Sequence, residues 1–289
     1  MGNAFGVKRG AFAADRKPSE SIEIVATTHY AGRRSARRRD AVAREEPLEI
    51  QLDGAALAVI MRTPGHDEEL GLGLLTTERV IASLDDVASV RHSTLAENPD
   101  AADNVLRVRL REGVAVDWQR LKRNLYASAS CGICGKATID GVLAEAPPLD
   151  DPSKFRASLF PGLVERMRVA QEAFSETGGL HAAGLFDGDG RLFVVREDVG
   201  RHNAVDKVIG WSLERGRLPL GGHVLLVSGR ISYEIVSKAL AARIPVIAAV
   251  SAPSSLAVAL AERARMMLVG FLRGQGFNVY GERGRVAGP

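Results

Sequence analysis

The stretch VLLVSGRISYEIVSKALAARIPVIAAV, residues 224–250, decides the fold of this chain. Its two apolar runs, at 224–227 and 246–250, are short and rich in Val and Ile, and they predict buried strands. The segment between them, 231–243, has apolar residues at helical spacing and predicts a helix. A strand, a helix and a second strand therefore form the centre of the predicted domain.

The same alternation continues on both sides of this stretch. Upstream, the sequence predicts a helix from Pro161 to Thr177, strands at 180–186 and 191–195 around the turn DGDG, and a helix over 203–215. Downstream, it predicts a helix over 254–265 and a strand over 267–271. The elements thus follow the order helix, strand, strand, and then repeated helix and strand. This order predicts a mixed sheet with helices on both faces, which is an α/β domain. The chain as a whole is predicted to be α+β.

The first half of the chain predicts a smaller α+β domain. Two alternating apolar runs between Leu48 and Arg62 are split by Asp53-Gly54, a pair suited to a type I′ hairpin turn. Acidic residues at 67–69 favour the first turn of a helix that runs to about Ile81. Gly71 and Gly73 either weaken that helix or let a neighbour approach closely. Strands are predicted at 87–91 and 105–110, and a short helix at 118–124.

Composition and charge exclude several classes of protein. With 289 residues, 46% apolar and 25% charged, the chain has the composition of a soluble globular protein. Its apolar runs are too short for a membrane span, and two cysteines are too few for a disulfide scaffold, so we expect a cytoplasmic protein. Residues 1–44 hold ten Lys and Arg against four Asp and Glu. Without interleaved aromatic residues this excess predicts a solvated arm and not a nucleic-acid site.

These patterns together predict four segments. Residues 1–44 form a basic, partly disordered extension, and 45–125 form the amino-terminal α+β domain. Residues 126–150 form a loop and linker that contain both cysteines, and 151–289 form the mixed-sheet domain.

The cysteine pair lies in SASCGICGK, residues 128–136. The glycines leave the loop adaptable, and Lys136 favours a thiolate. Four interpretations of this C-x-x-C stay open: a zinc site completed by scattered ligands, a redox dithiol, a pair of buried apolar groups, and a sulfur carrier that holds a persulfide. No motif for a metal of the protein's own is present, and the residues expected of a zinc deaminase are missing.

Polar turns follow the predicted strands and suit a phosphorylated ligand. Ser228-Gly229-Arg230 places free N–H groups and a cation at the start of a helix, although neither common nucleotide-binding glycine motif is present. The stretch 198–207 crowds five titratable side chains at one strand-to-helix junction, where Asn203 is the predicted N-cap. Gly179 and His181 belong to a third glycine turn. We therefore predict ligand contacts from a set of residues in these turns: Gly179, His181, Asp198, Gly200, Arg201, His202, Asn203, Ser228, Gly229 and Arg230.

Several long motifs, in order, resemble the FdhD/NarQ family of formate dehydrogenase accessory proteins, from about Glu46 to Tyr280. The similarity is carried by Glu46-Pro47-Leu48 with Met61-Arg62-Thr63-Pro64, Ser130-Cys131-Gly132-Ile133-Cys134-Gly135, Thr177-Gly178-Gly179-Leu180-His181, the stretch from Glu197 to Lys207, Ser228-Gly229-Arg230, and Gly270-Phe271-Leu272-Arg273.

This resemblance implies a function. Family members take sulfur from a cysteine desulfurase as a persulfide and pass it to the bis-molybdopterin guanine dinucleotide cofactor before insertion into formate dehydrogenase. By position, Cys131 is the persulfide cysteine and Cys134 an auxiliary thiol. The resemblance also implies a homodimer with a cytidine-deaminase-like domain, and a GDP-like nucleotide as a mimic of the cofactor. The cofactor-binding stretch corresponds to Phe271, Leu272, Arg273, Gly274, Gln275 and Gly276. The alternative is a chaperone that binds the cofactor without covalent chemistry.

Overall fold

The computed structural model describes residues 20–93, 102–121 and 139–287. Cys131 and Cys134 lie outside these residues, as does the predicted boundary near residue 125. The four predicted segments therefore stay a prediction. Within the described residues, no helix is both long enough and apolar enough to cross a membrane.

The carboxyl-terminal part contains a six-stranded mixed sheet. Its strands are ordered β13-β12-β11-β10-β8-β9; β10, β11 and β12 are parallel, and the other three run antiparallel to their neighbours. The bounds of the strands are β8 (His181–Phe186), β9 (Leu192–Asp198), β10 (Val224–Val227), β11 (Val246–Ala249), β12 (Met267–Arg273) and β13 (Gly276–Gly281). The predicted strands are confirmed, whereas β13 was not predicted.

Helices cover both faces of this sheet, as predicted. Alternate residues point to opposite faces. Leu225 and Ile247 pack under the helices α5 to α7, whereas Val224 and Val246 pack under α3 and the 3-10 helix at 157–162. The helices of this part are α2 (Ile139–Glu145), α3 (Leu163–Val169), α4 (Glu172–Thr177), α5 (Arg201–Glu214), α6 (Tyr233–Ala241) and α7 (Ser255–Arg263), and the short strands β7 (Phe155–Arg156) and β14 (Val286–Ala287) form a separate parallel pair.

The amino-terminal part contains a four-stranded sheet of order β4-β3-β6-β5, packed on one helix. The predicted hairpin is confirmed, since its turn residues Asp53 and Gly54 have φ angles of 49° and 83°. The helix ends at Thr77, earlier than the predicted Ile81. The bounds are β3 (Glu46–Leu52), β4 (Ala55–Arg62), α1 (Asp67–Thr77), β5 (Val87–His92) and β6 (Val105–Leu110), with a helical turn at 118–121.

Two glycines bring the two parts into backbone contact where α1 crosses α5. A Cβ atom at Gly73 would lie 1.8 Å from the carbonyl oxygen of Asp206, and one at Gly210 would lie 1.8 Å from that of Glu69. No side chain fits at either position, because close-packed interiors cannot absorb such an overlap. Of the two interpretations of Gly73, close approach of a neighbour is the correct one.

Residues 22–43 form a β-ribbon where the sequence analysis expected a partly disordered arm. Strands β1 (Ile22–Ala31) and β2 (Arg34–Ala43) pair antiparallel along their whole length. The run of β-branched residues in β1 favours a strand, and Gly32, with φ of 60°, makes the turn. The composition of the arginine-rich β2 does not by itself indicate a strand. This segment is a strand because it pairs with β1.

The prediction of one continuous helix from Pro161 to Thr177 is wrong. The segment consists of a 3-10 helix, α3 and α4, with a break at Ala170 and Gln171. The break has a tertiary cause. The carboxylate of Glu197 accepts hydrogen bonds from the backbone N–H groups of Ala173 at 3.1 Å and Phe174 at 2.8 Å, and thereby caps a new helix.

Candidate functional site

The turns that the sequence predicts to contact a ligand meet at one edge of the mixed sheet. The carboxyl ends of β9, β10, β11 and β12 lie there beside the amino end of β8, because β8 runs opposite to β10. A cleft of about 530 Å³ opens at this edge, between the strand ends and the helices α3 and α4. It is lined by Val164, Met167, Arg168, Gln171, Phe174, Gly178, Gly179, Leu180, His181, Val199, Ser228 and Val250.

His181 and Ser228 stand side by side at this cleft. The Ser228 hydroxyl accepts a hydrogen bond from the backbone N–H of Ala182 at 2.9 Å, and its Oγ lies 3.4 Å from His181 Nδ1. Burial lowers the pKa of His181, the charge of Arg201 lowers it further, and Asp198 opposes both. The imidazole is therefore neutral at pH 7 and able to accept a proton.

Gly229 lies next to these groups. A Cβ atom at this position would lie 3.5 Å from His181 Nδ1 and 3.7 Å from Arg201 Cδ, so the turn after β10 rests against both side chains. The predicted residues Gly179, His181, Arg201, Ser228 and Gly229 are thus brought together at one place.

Arginines with no carboxylate partner surround the cleft. Within the described residues, none of these four forms an ion pair: Arg168, Arg201, Arg230 and Arg273. The Nε atom of Arg201 is buried and has no hydrogen-bond partner in the same residues. Unpaired guanidinium groups at strand ends and a helix start suit phosphate or another anion.

The predicted stretch 271–276 forms a bulged hairpin between β12 and β13. Phe271 is 43% exposed with φ of 54°, and its N–H donates to the carbonyl oxygen of Ser251 at 3.0 Å. Arg273 Nε donates to the Val250 carbonyl oxygen at 3.4 Å, which places Arg273 next to the cleft wall. Leu272 is buried in the core, whereas Gly274, Gln275 and Gly276 are exposed at the turn.

Asp198 and Asn203 lie beneath the site and not in it. The Asp198 side chain is fully buried and contacts Lys207 Nζ at 2.6 Å, and it accepts hydrogen bonds from the N–H groups of Thr63 and Gly200. Asn203 Nδ2 donates to Asp198 at 2.8 Å. These bonds anchor the junction to the amino-terminal sheet. The predicted capping role of Asn203 is wrong, because α5 begins at Arg201 with Gly200 as N-cap.

His202 occupies a half-buried position at the start of α5, with Nε2 3.4 Å from Ser232 Oγ. Burial lowers the pKa of His202 to about 4, with smaller contributions from the charges of Lys238 and Arg201. The ordinary value is 6.5. Between these two pH values, the unfolded chain binds a proton that the folded chain does not.

This depressed pKa predicts a pH dependence of stability. The contribution of His202 is complete above pH 6.5 and is lost as the pH falls toward 4, a loss of up to roughly 3 kcal/mol. Urea unfolding between pH 4 and 8 should therefore show a weaker acid dependence in His202→Gln than in the native chain. The exposed His29 supplies a control, since His29→Gln should follow the native curve. Equal acid dependence in the native chain and His202→Gln would contradict this assignment.

A second cavity, of about 660 Å³, lies beside α1 and the base of the ribbon. Arg62 lines it and donates hydrogen bonds to both carboxylate oxygens of Asp67, at 3.0 and 2.9 Å. Other acidic residues line it, including Glu46 and Glu68. Across residues 20–93, 102–121 and 139–287, no three His, Cys, Asp or Glu side chains are placed to hold a metal ion.

Arg168, Gln171 and Phe174 are among the residues at the cleft that were not predicted from the sequence. Arg168 lies over the Phe174 ring, with Cζ 5.9 Å from its centroid. These three residues lie in the segment from Pro161 to Thr177, whose apolar spacing predicts only a helix. No local signal marks them, because the break at Gln171 that presents them to the cleft depends on the distant Glu197.

Fold and site together define a class: a two-part α+β protein with a cleft at the edge of a mixed sheet, and with arginines without ion pairs in the described residues near that cleft. The model of the FdhD/NarQ family matches residues 43–287, and the chain belongs to this family. The chain is 48% identical over 262 residues to a sulfur carrier protein FdhD of Mycolicibacterium paratuberculosis, covering 90% of this chain and 96% of that protein.

Other relatives agree with this assignment. A sulfur carrier protein FdhD of Anaeromyxobacter dehalogenans is 47% identical over 262 residues, covering 87% of this chain and 91% of that protein. A crystal structure from Desulfotalea psychrophila, described as a formate dehydrogenase accessory protein, superposes with a TM-score of 0.72 at 25% identity, over 92% of this chain and 99% of that one.

Proposed function

We propose that this chain is a cytoplasmic sulfur carrier. It takes a persulfide sulfur from a cysteine desulfurase onto Cys131 and delivers it to the bis-molybdopterin guanine dinucleotide cofactor of formate dehydrogenase. Membership of the FdhD/NarQ family and relatives named sulfur carrier protein support this proposal. A reducing compartment suits a protein whose two cysteines must be free thiols.

The observation that carries the proposal is the charge of the cleft. Four arginines without ion pairs in the described residues lie around it, and the nearby Asp198 is fully buried and occupied by Lys207. A dinucleotide carries a pyrophosphate, for which guanidinium groups and a helix N-terminus are suitable partners. The Phe271–Gly276 hairpin at the same edge offers Arg273 and an exposed aromatic ring, so we assign it to the cofactor as well.

The sulfur transfer needs no net oxidation in its first step. The Cys131 thiolate attacks the outer sulfur of the donor's persulfide, a new S–S bond forms on Cys131, and the donor cysteine leaves as a thiolate. Lys136, five residues along the chain, favours the thiolate form.

We assign the release of the sulfur to Cys134. Its thiolate attacks the Cys131 sulfur, the two cysteines form a disulfide, and the outer sulfur leaves as hydrosulfide for the cofactor. A cellular dithiol then reduces the disulfide. The neutral imidazole of His181 is a suitable proton acceptor beside a bound cofactor.

Mass spectrometry of the intact protein tests the carrier mechanism. After incubation with a cysteine desulfurase and cysteine under non-reducing conditions, the native chain should gain about 32 Da, the mass of one sulfur atom. Cys131→Ala should gain nothing, whereas Cys134→Ala should retain the adduct because it still holds the acceptor and lacks the releasing thiol. An unmodified native chain beside an active desulfurase would instead favour the non-covalent chaperone.

A further inference from the structure

The ribbon of β1 and β2 is an exposed element. Every residue from Thr28 to Asp40 is exposed, although the two strands are paired along their whole length. The base of the ribbon is packed, since a Cβ atom at Gly179 would lie 3.5 Å from Ala43 Cβ. A two-stranded ribbon in water is only marginally stable unless something packs against it. Exposure of both faces therefore indicates that a partner covers one of them.

The two faces of the ribbon differ in charge. Successive residues of a strand point to opposite faces, and residues paired across the ribbon share a face. The ribbon's carboxylates, Glu23 and Asp40, lie on one face. The other face has no carboxylate between residues 22 and 43, and its large side chains are Ile24, Tyr30, Arg37 and Arg39. We call this second face the arginine face.

The arginine face has the composition of a protein interface. Tyr30 is 72% exposed and Ile24 is 52% exposed. Arg37 and Arg39 form no ion pair with any residue that the structure describes. Tyrosine and arginine are enriched at the centres of protein interfaces, where they supply much of the binding energy. The face therefore fits a protein surface that is rich in carboxylates.

The cavity of about 660 Å³ beside α1 is such a surface on this same chain. Seven carboxylates line it, against two arginines and two histidines. Glu20, Glu68 and Asp103 of this lining form no ion pair within the described part of the chain. Burial raises the pKa of Glu214 in the lining, and the charge of Glu69 raises it further. The cavity thus has an excess of negative charge.

One molecule cannot bring its own two surfaces together. Glu20 and Arg44 flank the ribbon in the chain and line the cavity, so the cavity lies at the base of the ribbon. Arg37 lies six residues before the end of β2, which is about 20 Å along a strand. Because the strands are paired over their whole length, the ribbon cannot fold back onto its base. The arginine face therefore meets an acidic cavity only on another molecule.

We propose that the ribbon is a dimerisation arm whose arginine face binds the acidic cavity of a second copy of this chain. Two-fold symmetry makes such a contact reciprocal. When two ribbons lie side by side and antiparallel, the tip of each is near the base of the other, and so near the cavity. The resemblance implies a homodimer, and this inference assigns the surfaces that form it. The sulfur carrier role does not depend on it.

Sedimentation equilibrium of the full chain tests the inference through the Kd of the dimer. The variant with both Arg37→Glu and Arg39→Glu reverses the charge of the arginine face. We expect it to weaken the dimer by roughly a hundredfold or more, because each repulsive contact occurs twice in a two-fold pair. The variant with both Arg109→Glu and Arg283→Glu is the matched control. Both of these arginines are exposed and lie outside the ribbon, so the control should dimerise like the native chain.

A second reversed chain makes the test decisive. The variant with both Glu20→Lys and Glu68→Lys reverses the charge of the cavity and should weaken its own dimer to the same degree. In an equimolar mixture with the ribbon variant, each glutamate ribbon meets a lysine cavity and each native ribbon meets a native cavity. We expect the mixed dimer to form within about tenfold of the native Kd. This recovery would also show that both variants are folded.

Three results would contradict the inference. A monomeric native chain would overturn it, and so would a native Kd in both reversed variants, since the dimer would then use another surface. Weakened dimers that do not recover in the mixture would show that the arginine face and the cavity do not contact each other, and would overturn it as well. The sulfur adduct on Cys131 is measured separately and tests the proposed function whatever the oligomeric state.

Discussion

Cells that depend on this chain are expected to lose formate dehydrogenase activity completely when Cys131 is replaced by alanine. An alanine has no sulfur to accept the persulfide, so the transfer has no covalent route. Binding of GDP should stay at the native level, because the substitution leaves unchanged the glycine turns and the arginines at the cleft that we assign to the cofactor. Enzyme activity in a strain lacking the native gene, measured beside GDP affinity of the purified variant, checks both parts.

The control for this experiment is Cys134→Ala. Its loss of activity should be partial, because other cellular thiols can release the sulfur that Cys131 still receives. Full formate dehydrogenase activity with Cys131→Ala would exclude the carrier mechanism and leave the chaperone. Loss of GDP binding in Cys131→Ala would show that the segment that contains the two cysteines supports the cleft itself.

The substitution Lys207→Met is expected to destabilise the folded chain by about 3 to 5 kcal/mol. Lys207 and Asp198 are both completely buried, with Nζ 2.6 Å from Oδ2, and Lys207 Nζ also donates to the Thr63 carbonyl oxygen at 2.9 Å. The substitution leaves the Asp198 carboxylate buried without its cation. Because domains are stable by only about 5 to 15 kcal/mol, most of the stability is at risk. Urea unfolding of the native chain and the variant measures the difference.

A double variant separates charge from packing. Asp198→Asn combined with Lys207→Met removes both charges, and we expect it to be more stable than Lys207→Met alone by about 1 to 3 kcal/mol, because no uncompensated charge remains. A cost below about 1 kcal/mol for Lys207→Met would contradict the role of the pair as the link between the junction and the amino-terminal sheet.

A second buried pair strengthens the same link between the two parts. Lys238 of α6 contacts both carboxylate oxygens of Asp206, at 2.8 and 2.7 Å, and the Thr77 hydroxyl of α1 lies 2.9 Å from the same carboxylate. Burial raises the pKa of Asp206, and Lys238 opposes that shift. With Gly73 and Gly210 at the helix crossing, this pair explains why the sequence shows titratable residues in 197–207 beyond those that contact the cleft.

Those elements that depend on near neighbours in the chain were predictable. The Asp53-Gly54 turn, the strands β10 and β11, and the helix between these strands follow from residues a few positions apart. The gathering of glycine turns at one sheet edge was also predictable in part, because strand ends followed by helices meet there. His181, Arg201, Ser228 and Gly229 lie where that reasoning placed them.

Other features depended on residues far apart in the chain. The break before α4 needs Glu197, the burial of Asp198 needs Thr63 and Lys207, and β2 needs β1 as a partner for its arginines. Each of these depends on a contact with a residue far away in the chain, which local propensity does not encode.

The sequence alone therefore determined the element order, the strand-end turns, the cysteine motif and the family resemblance, because each is encoded by residues close together in the chain. Only the tertiary structure decided which polar residues face the cleft and which connect the two parts. It separated Arg201 and His181 from Asp198 and Asn203, and it brought Gln171 to the cleft. The physical reason is that the burial of a side chain and its hydrogen-bond or ion-pair partners depend on its position in the folded structure. Residues that are adjacent in the sequence can differ in both.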